Sequence, residues 1–195
     1  MTAEELDGIV AFLKSAERLK AMYRSAWTSN GDRESVAAHT WRLCLMALVL
    51  AGDYPEIDAG RLIRMLIVHD LGEALHGDIP APRQDPSSGK AEQERRDLLE
   101  LLAPLPEKLR QEITRLWDEY DAAATPEARL AKGLDKLETI LQHNQGRNPA
   151  DFDYAFNLEY GRAFTADDHR LAALRAVLDA ETARRAGQEG PPHGS

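Results

Sequence analysis

Apolar residues recur at helical spacing along most of this chain, and this periodicity restricts the fold more than any other feature. Ile9, Phe12 and Leu13 share one helical face, and Val36 and Leu43 share another. The pattern predicts helices at about residues 3–23, 34–50, 58–76, 88–102, 106–121, 126–145 and 166–185. Residues 146–165 leave room for one further short helix. We therefore expect an all-α bundle of about six to eight helices.

A single domain accounts for the helical region. A chain of 195 residues can bury one substantial core, and its hydrophobic content of 43% is that of an ordinary globular protein. The segment RSAWTSNGDRE has loop-forming residues. Thr125 and Pro126 have the residue types of a helix N-cap and first position, whereas Gly77 opens a proline-rich connection. We expect residues 1–185 to form the domain and residues 186–195 to be a disordered tail.

The charge balance argues against two broad classes of partner. The formal net charge is −9, and binding to a nucleic acid polymer or an anionic membrane requires a basic surface. We expect no signal peptide, since MTAEELDGIV lacks a basic region before an apolar run, and no apolar stretch long enough to span a bilayer. The single cysteine, Cys44, lies among apolar neighbours and is predicted to be a core thiol. These features indicate a cytoplasmic protein and leave small phosphorylated substrates open.

Four ionisable residues occur where core residues are expected: His39, His69, Asp70 and Asp135. A buried imidazole or carboxylate without a partner is strongly destabilising, so such groups are normally paired, hydrogen-bonded or bound to metal. Two histidines and two aspartates from three predicted helices suggest one shared cation. This mixed set of ligands suits one divalent transition metal ion (Co, Mn, Fe, Ni or Zn) better than calcium. The lack of cysteine ligands disfavours a structural zinc site.

Each of these residues also has an ordinary explanation when it is taken alone. An inward-facing His39 can be a hydrogen-bonded core histidine, and Asp135 can be a boundary aspartate beside a leucine stripe. Glu73, one turn after His69, would alone be a surface glutamate, and Asp78 would be a turn aspartate. The combination in this order is far more specific than any of its members.

The order of these residues resembles the H…HD…D signature of the HD-domain metal-dependent phosphohydrolases. The likeness extends to four segments of this chain, which are ESVAAHTWR, HDLGEALHGDIPAP, EITRLWDEY and LDKLETILQ. It covers about residues 10–165 and is typical of the 5′-deoxynucleotidase branch, including the eukaryotic HD-domain-containing-2 type. The resemblance implies a helical HD domain that binds a divalent metal ion and forms a homodimer.

The resemblance also implies a reaction and the residues that take part in it. The four ionisable residues would hold the metal ion, and its bound water would attack the phosphorus of a (2′-deoxy)nucleoside 5′-monophosphate. Glu73 would orient that water or carry its proton, and Asp78 would act as the second catalytic acid. Arg24 and Trp27, in YRSAW, resemble an R-x-x-W arrangement that contacts phosphate and deoxyribose. His76 has the spacing of an extra ligand, but the matching family position is not a ligand.

Three other functions compete with this one. Another phosphohydrolase of the same superfamily would act on nucleoside triphosphates or on a guanosine tetraphosphate-type alarmone, but such enzymes are typically larger or carry further motifs. A non-catalytic helical module that binds metal or nucleotide would be favoured by the loss of a ligand, and all four are present in the sequence. An oxygenase of HD architecture would need more histidines at the metal.

Overall fold

The computed structural model describes residues 1–77 and 89–188, and almost all of their regular structure is helical. Two strands, β1 (Tyr23–Trp27) and β2 (Arg33–Ser35), follow the first helix. The α-helices are α1 (Ala3–Ala16), α2 (Val36–Leu50), α3 (Ala59–Val68), α4 (Glu73–His76), α5 (Lys90–Leu102), α6 (Glu107–Ala122), α7 (Pro126–Gln145), α8 (Phe156–Glu159) and α9 (His169–Gln188). Short 3-10 helices cover Glu17–Lys20, Ala51–Asp53 and Arg162–Phe164. Seven of the described α-helices have ten residues or more, which confirms the predicted all-α bundle.

Side-chain caps determine where several of these helices begin. Thr2 and Glu5 form a reciprocal capping box at α1. Ser35 accepts a hydrogen bond from a backbone N–H in the first turn of α2, so α2 starts directly after β2. Thr125 caps α7 and Pro126 occupies its first turn, as the sequence predicts. Because Ser35 is both the last residue of β2 and the cap of α2, no linker separates the two elements.

The helix α7 runs through the centre of the domain and contacts α2, α3, α6 and α9. Its apolar residues Leu134, Leu137 and Ile140 are fully buried. The surrounding core is built from large apolar side chains of α2, α3 and α5, namely Leu43, Leu62, Met65, Leu66, Leu98 and Leu102. Charged residues on α7 are buried as well, and their presence in a core helix marks a site rather than a simple packing surface.

The segment between α1 and α2 is a β-hairpin, whereas the sequence predicted a longer first helix followed by a loop. α1 ends at Ala16, and only a 3-10 turn continues it. In the hairpin Tyr23 pairs with Ser35 and Trp27 pairs with Arg33 in antiparallel register. Such short strands show too few alternations for the two-residue period to be recognised in a sequence. The hairpin contacts α7, and this tertiary contact stabilises it.

The helix predicted for residues 58–76 is interrupted at the adjacent His-Asp pair. α3 ends one residue before His69, and residues 68–74 are linked by hydrogen bonds between residues three apart. α4 then forms a single turn, which Gly77 closes with a φ of +81° that suits glycine. The prediction of one continuous helix is therefore wrong at this point. The tighter turn changes the directions of the side chains, so the pair is not placed as it would be on a regular helix.

The connection between α7 and α9 is held by a buried arginine. The guanidinium of Arg175 donates hydrogen bonds to the backbone carbonyls of Asn157 and Leu158, at the end of α8. The carbonyl of Leu158 also accepts from Arg162 Nε at 2.6 Å, so side-chain donors satisfy the carbonyls at the end of this short helix. The last helix continues to Gln188, past the predicted domain end at 185. Residues 189–195 lie outside the described residues, so the disordered tail stays a prediction there.

One helix has the length and composition of a membrane span. The stretch Val36–Asp53 has a mean hydropathy of 1.2 over 18 residues, and 22% of it is buried. By length and composition, the prediction that no apolar stretch is long enough to span a bilayer is therefore wrong. His39 and Arg42 on α2 nevertheless bond to a buried carboxylate of α7, so this helix packs within the domain. Its opposite, apolar face is exposed.

Candidate active site

The structure brings the four predicted metal ligands together from α2, α7 and the break after α3. His39 Nε2 lies 3.1 Å from Asp135 Oδ1 and 3.9 Å from Asp70 Oδ2. His69 Nε2 lies 3.1 Å from Asp70 Oδ2, and the centroids of the two imidazole rings are 5.6 Å apart. Three of these residues are buried, and Asp70 is partly exposed. The ligand atoms of His39, His69 and Asp70 all lie within 4.8 Å of one another, and Asp135 joins this group through its contact with His39.

The two imidazole rings present their Nε2 atoms to the centre of this group. His69 Nδ1 lies 2.7 Å from the carbonyl oxygen of Leu66, and His39 Nδ1 lies against a carboxylate oxygen of Glu138, so each Nδ1 is assigned as a donor. Within residues 1–77 and 89–188, neither Nε2 atom has a hydrogen bond of good geometry. Two nitrogen lone pairs and two carboxylates that face one point repel one another unless a cation lies between them. The residues therefore fit a divalent metal ion, as the sequence predicts.

Asp135 is held by two donors on one of its oxygens. The hydroxyl of Tyr120 donates to Asp135 Oδ2 at 3.0 Å, and Lys136 Nζ donates to the same oxygen at 2.8 Å. Burial acts to raise the pKa of Asp135, but Lys136 and the two histidines outweigh burial and hold this pKa well below its usual value. Burial and Asp135 raise the pKa of Tyr120, so its hydroxyl stays protonated and donates. Oδ1 is the oxygen that faces His39 and is left to contact a metal ion.

A buried network of charges lies behind His39. Glu138 is fully buried, accepts from His39 Nδ1, and accepts from Arg42 Nε at 2.6 Å. Arg24 Nη1 lies 3.6 Å from the same carboxylate and donates to Glu34 at 3.0 Å. Burial and Arg24 act to lower the pKa of His39, but its carboxylate neighbours outweigh them and raise it to about 9. The surroundings of His39 therefore favour a positive charge at this position, which a proton or a metal ion supplies.

The metal ligands lie in a cleft of about 1540 Å³. Five residues of α7 line it at helical spacing, and we call them the α7 stripe: Lys132, Asp135, Lys136, Thr139 and His143. Along this stripe Asp135 and His143 are about 12 Å apart, at 1.5 Å per residue. His143 packs against Phe152, which also meets Trp27 edge to face at 6.1 Å. The cleft thus joins the charged ligand group to a set of aromatic rings around Phe152, a lining that suits a nucleotide.

The other predicted site residues have different outcomes. Glu73, Trp27 and Arg24 all line the cleft, and Glu73 is buried there at the start of α4. Arg24 directs part of its guanidinium into the charge network, where it also donates to Thr139 Oγ1 at 2.8 Å. Asp78 lies outside the described residues, so its role stays a prediction. His76 pairs with Asp97 of α5 at 2.7 Å and is not part of the described ligand group.

Three further residues that organise the site were missed by the sequence analysis: Glu138, Tyr120 and Lys136. Glu138 comes three positions after Asp135 within an apolar stretch, which is the same signal that identified the metal ligands. Tyr120 and Lys136 carry no such signal. A tyrosine in an amphipathic helix and a lysine beside an aspartate are common on ordinary solvent-facing helices.

The fold and the site together define a helical domain of the H…HD…D type, with a metal centre built between its helices. Residues 16–175 match the family model described as HD domain. The chain therefore belongs to the HD-domain family, which confirms the resemblance seen in the sequence.

Named relatives support this membership over most of the chain. The chain is 35% identical to the 5′-deoxynucleotidase HDDC2 of Mus musculus over 140 residues, which cover 71% of this chain and 69% of the relative. It is 36% identical to the 5′-deoxynucleotidase hdd1 of Schizosaccharomyces pombe, with coverage of 73% and 74%. A crystal structure described as a predicted metal-dependent phosphohydrolase from Magnetospirillum magnetotacticum is similar with a TM-score of 0.77 and 30% identity, over 93% of this chain and 97% of that one.

Proposed function

We propose that this chain is a metal-dependent 5′-deoxynucleotidase, which hydrolyses 2′-deoxynucleoside 5′-monophosphates to nucleoside and phosphate. The observation that carries the proposal is the group of two histidines and two aspartates that lies together in a cleft large enough to hold a nucleotide. Relatives named 5′-deoxynucleotidase, at 35% and 36% identity, support the choice of substrate. No further histidine joins the described ligand group, which favours hydrolysis over oxygenase chemistry.

The residues of the chain have distinct tasks in this reaction. A bound divalent ion would lower the pKa of a water ligand and polarise a phosphoryl oxygen. His39 and His69 hold Nε2 toward the ion, because the Nδ1 atom of each contacts an acceptor behind the ring. Glu73, whose backbone N–H donates to the carbonyl of Asp70 at 3.0 Å, would orient the attacking water or take up its proton. Asp78 would protonate the leaving 5′-oxygen.

Trp27 is the proposed contact for the deoxyribose, and Arg24 is a proposed contact for the phosphate. The carbonyl of Trp27 accepts a hydrogen bond from Gln142 on α7, and its ring packs edge-on against Phe152. An aromatic ring held in this way against C2′ would leave neither volume nor a polar partner for a ribose hydroxyl. We therefore propose that 2′-deoxy substrates are preferred.

Metal reconstitution tests the proposal. The protein is stripped with a chelator and reloaded separately with Co, Mn, Fe, Ni or Zn. Phosphate release is then measured from the mono-, di- and triphosphates of deoxyribonucleosides and ribonucleosides, and from guanosine tetraphosphate. We expect metal-dependent release from the deoxynucleoside monophosphates, and its loss in Asp135→Asn. Absence of release from every monophosphate would contradict the proposal. Release from triphosphates or the tetraphosphate alone would favour another phosphohydrolase, and equal rates on ribose and deoxyribose forms would remove only the sugar preference.

We also propose that the chain forms a homodimer through the outer face of α2. Large apolar side chains are exposed there at spacings that place them on one side of the helix: Trp41 (67% exposed), Leu45 (43%), Leu48 (66%) and Val49 (72%). We call these residues the α2 apolar face. A second copy is the favoured partner, because a helix stripe of this kind is complementary to itself across a two-fold axis. Contiguous apolar surface is also uncommon on monomers.

A further inference from the structure

The part of the cleft beside the metal ligands is rich in carboxylates. Asp70, Glu73 and Asp135 line it, and Asp121 lies at its edge. A divalent ion balances two of these negative charges, while a phosphate monoester brings a charge of about −1.5 to −2 at neutral pH. The chain must therefore supply further positive charge if such an ester is to bind here.

Two basic side chains at the cleft are already paired with carboxylates. Arg24 donates to Glu34 and lies 3.6 Å from Glu138, so its charge is shared between this network and the phosphate that it is proposed to contact. Lys136 Nζ donates to Asp135 at 2.8 Å. Lys136 therefore serves to hold a metal ligand.

Lys132, one turn earlier on the α7 stripe, has a different environment. Its Nζ lies 4.3 Å from the centroid of the Tyr120 ring, whose hydroxyl holds Asp135. In the part of the chain that the structure describes, its ion-pair partner is Asp121 at 3.9 Å, which is beyond hydrogen-bond distance. The side chain of Lys132 is only 17% exposed, so water replaces little of the missing contact.

The pKa of Lys132 supports this difference. Burial lowers the pKa of Lys132, and Asp121 offsets only part of that effect. The ammonium group loses hydration without gaining a carboxylate at contact distance, whereas Lys136 gains one. A bound anion would stabilise the ammonium group of Lys132. Its oxygens would accept charge-assisted hydrogen bonds from N–H groups that the ring of Tyr120 cannot fully satisfy.

We propose that Lys132 binds the phosphate group of the substrate, and that the face of the Tyr120 ring positions its ammonium group next to the metal ligands. The assignment rests on the proposed function, because it takes a phosphate monoester as the substrate. Lys132 lies three residues before Asp135 on the same helix, so a phosphate oxygen at the metal centre is within reach of a lysine side chain.

Three variants test this assignment in the full-length, metal-loaded protein: Lys132→Met, Lys132→Arg and the control Lys108→Met. The control removes the same charge from an exposed position on α6. The measurements are kcat and KM for 2′-deoxyadenosine 5′-monophosphate, the inhibition constant of inorganic phosphate, the metal dissociation constant and the thermal midpoint. We expect Lys132→Met to raise KM and the phosphate inhibition constant about tenfold or more, with metal affinity unchanged. Lys132→Arg should restore most of the phosphate binding, and Lys108→Met should match the wild type.

Two results would overturn the assignment. The first is an unchanged phosphate inhibition constant in folded Lys132→Met. The second is a loss of metal affinity as large as the loss of phosphate affinity, which would make Lys132 a support of the metal centre instead. Lys132→Gln provides a second neutral variant if methionine lowers the thermal midpoint. If the wild type hydrolyses no monophosphate, the proposed function fails, and calorimetric titration of the metal-loaded proteins with inorganic phosphate still decides the role of Lys132.

Discussion

At the scale of single residues, both proposed histidine ligands depend on a partner behind the ring. His69 is oriented by the carbonyl of Leu66, which belongs to the helix that His69 itself caps. His39 is oriented by Glu138, a side chain from another helix, and this carboxylate also accepts from Arg42. The first partner is present wherever α3 forms, but the second is present only after α2 and α7 have packed. The position of His39 is therefore the more sensitive to mutation.

Replacing Glu138 with Gln tests this dependence. Gln keeps the volume and an acceptor oxygen, but it removes the negative charge that favours a cation at His39. We expect the metal dissociation constant of Glu138→Gln to rise about 10- to 100-fold in titrations of stripped protein at a fixed pH. Glu159→Gln, at an 82% exposed side chain, is the matched control and should leave the constant unchanged. If the metal dissociation constant of Glu138→Gln equals that of the wild type, the charge behind His39 has no effect on metal binding.

Glu73 is expected to affect the chemical step rather than the metal. Glu73→Gln should lower kcat about 10²- to 10⁴-fold, because an amide cannot take up the proton of the attacking water. The metal dissociation constant, measured on the same protein, should stay near that of the wild type, since Glu73 is not among the four ligands. A wild-type kcat would rule out Glu73 as the general base, and a parallel loss of metal would make it a ligand.

The residues of the site differ in how well a sequence reveals them. The convergence of His39, His69, Asp70 and Asp135 could be predicted because an ionisable residue inside an apolar helix needs an explanation; their role as metal ligands stays a prediction. The role of Lys132 could not be predicted, because its environment is set by a tyrosine on another helix, and the contact between them arises only from packing. Sequence patterns detect which residues are unusual, and they do not show which side chains lie against each other.

At the scale of elements, the helices were predictable and the departures from them were not. The break at His69 was missed because apolar residues continue at helical spacing on both sides of it, and Gly72 is the one residue there whose type could have indicated it. The strand β1 was missed because its five residues owe their extended conformation to contact with α7, and a sequence pattern does not show such a contact. Both departures position site residues: the break carries two metal ligands, and the strand carries Arg24 and Trp27.

The start of α9 provides a test at this scale. Asp168 accepts from the backbone N–H groups of Arg170 and Leu171 at 2.8 and 3.0 Å, and from the hydroxyl of Tyr54. Burial acts to raise the pKa of Asp168, but these donors outweigh burial and lower it below 3.8. A carboxylate whose pKa is lowered by folding stabilises the fold at pH values above its ordinary pKa. This contribution is lost as the pH falls through the lowered pKa.

We therefore expect Asp168→Ala to reduce the free energy of unfolding by about 1 kcal/mol at neutral pH, as is typical for the loss of a helix cap. The difference in the free energy of unfolding between Asp168→Ala and the wild type should shrink as the pH falls below 3.8. Urea denaturation followed by circular dichroism at several pH values measures both effects. Asp167→Ala, an exposed neighbour, should unfold like the wild type at every pH. A constant difference between Asp168→Ala and the wild type across the pH range would contradict the role of the charge.

At the scale of the whole molecule, α2 joins the metal centre to the molecular surface. One side of this helix carries His39 and Arg42 into the charge network, and the other side is the α2 apolar face. Covering the outer side of α2 would reduce any local opening of this helix from α7. Dimerisation through the α2 apolar face would hold His39 in place from outside. The proposed dimer and the metal centre are therefore expected to be coupled.

The substitution Leu48→Asp tests both the dimer and this coupling. Leu48 is 66% exposed in the single chain, so the change should leave the fold intact but place a charge in the proposed interface. We expect the wild type to be a dimer and Leu48→Asp to be a monomer, by light scattering across a dilution series. Val177→Asp, at a similarly exposed apolar position on α9 (68%), should remain dimeric. If the coupling holds, the monomer should also bind metal more weakly than Val177→Asp does. A wild-type monomer, or a dimeric Leu48→Asp, would contradict this interface.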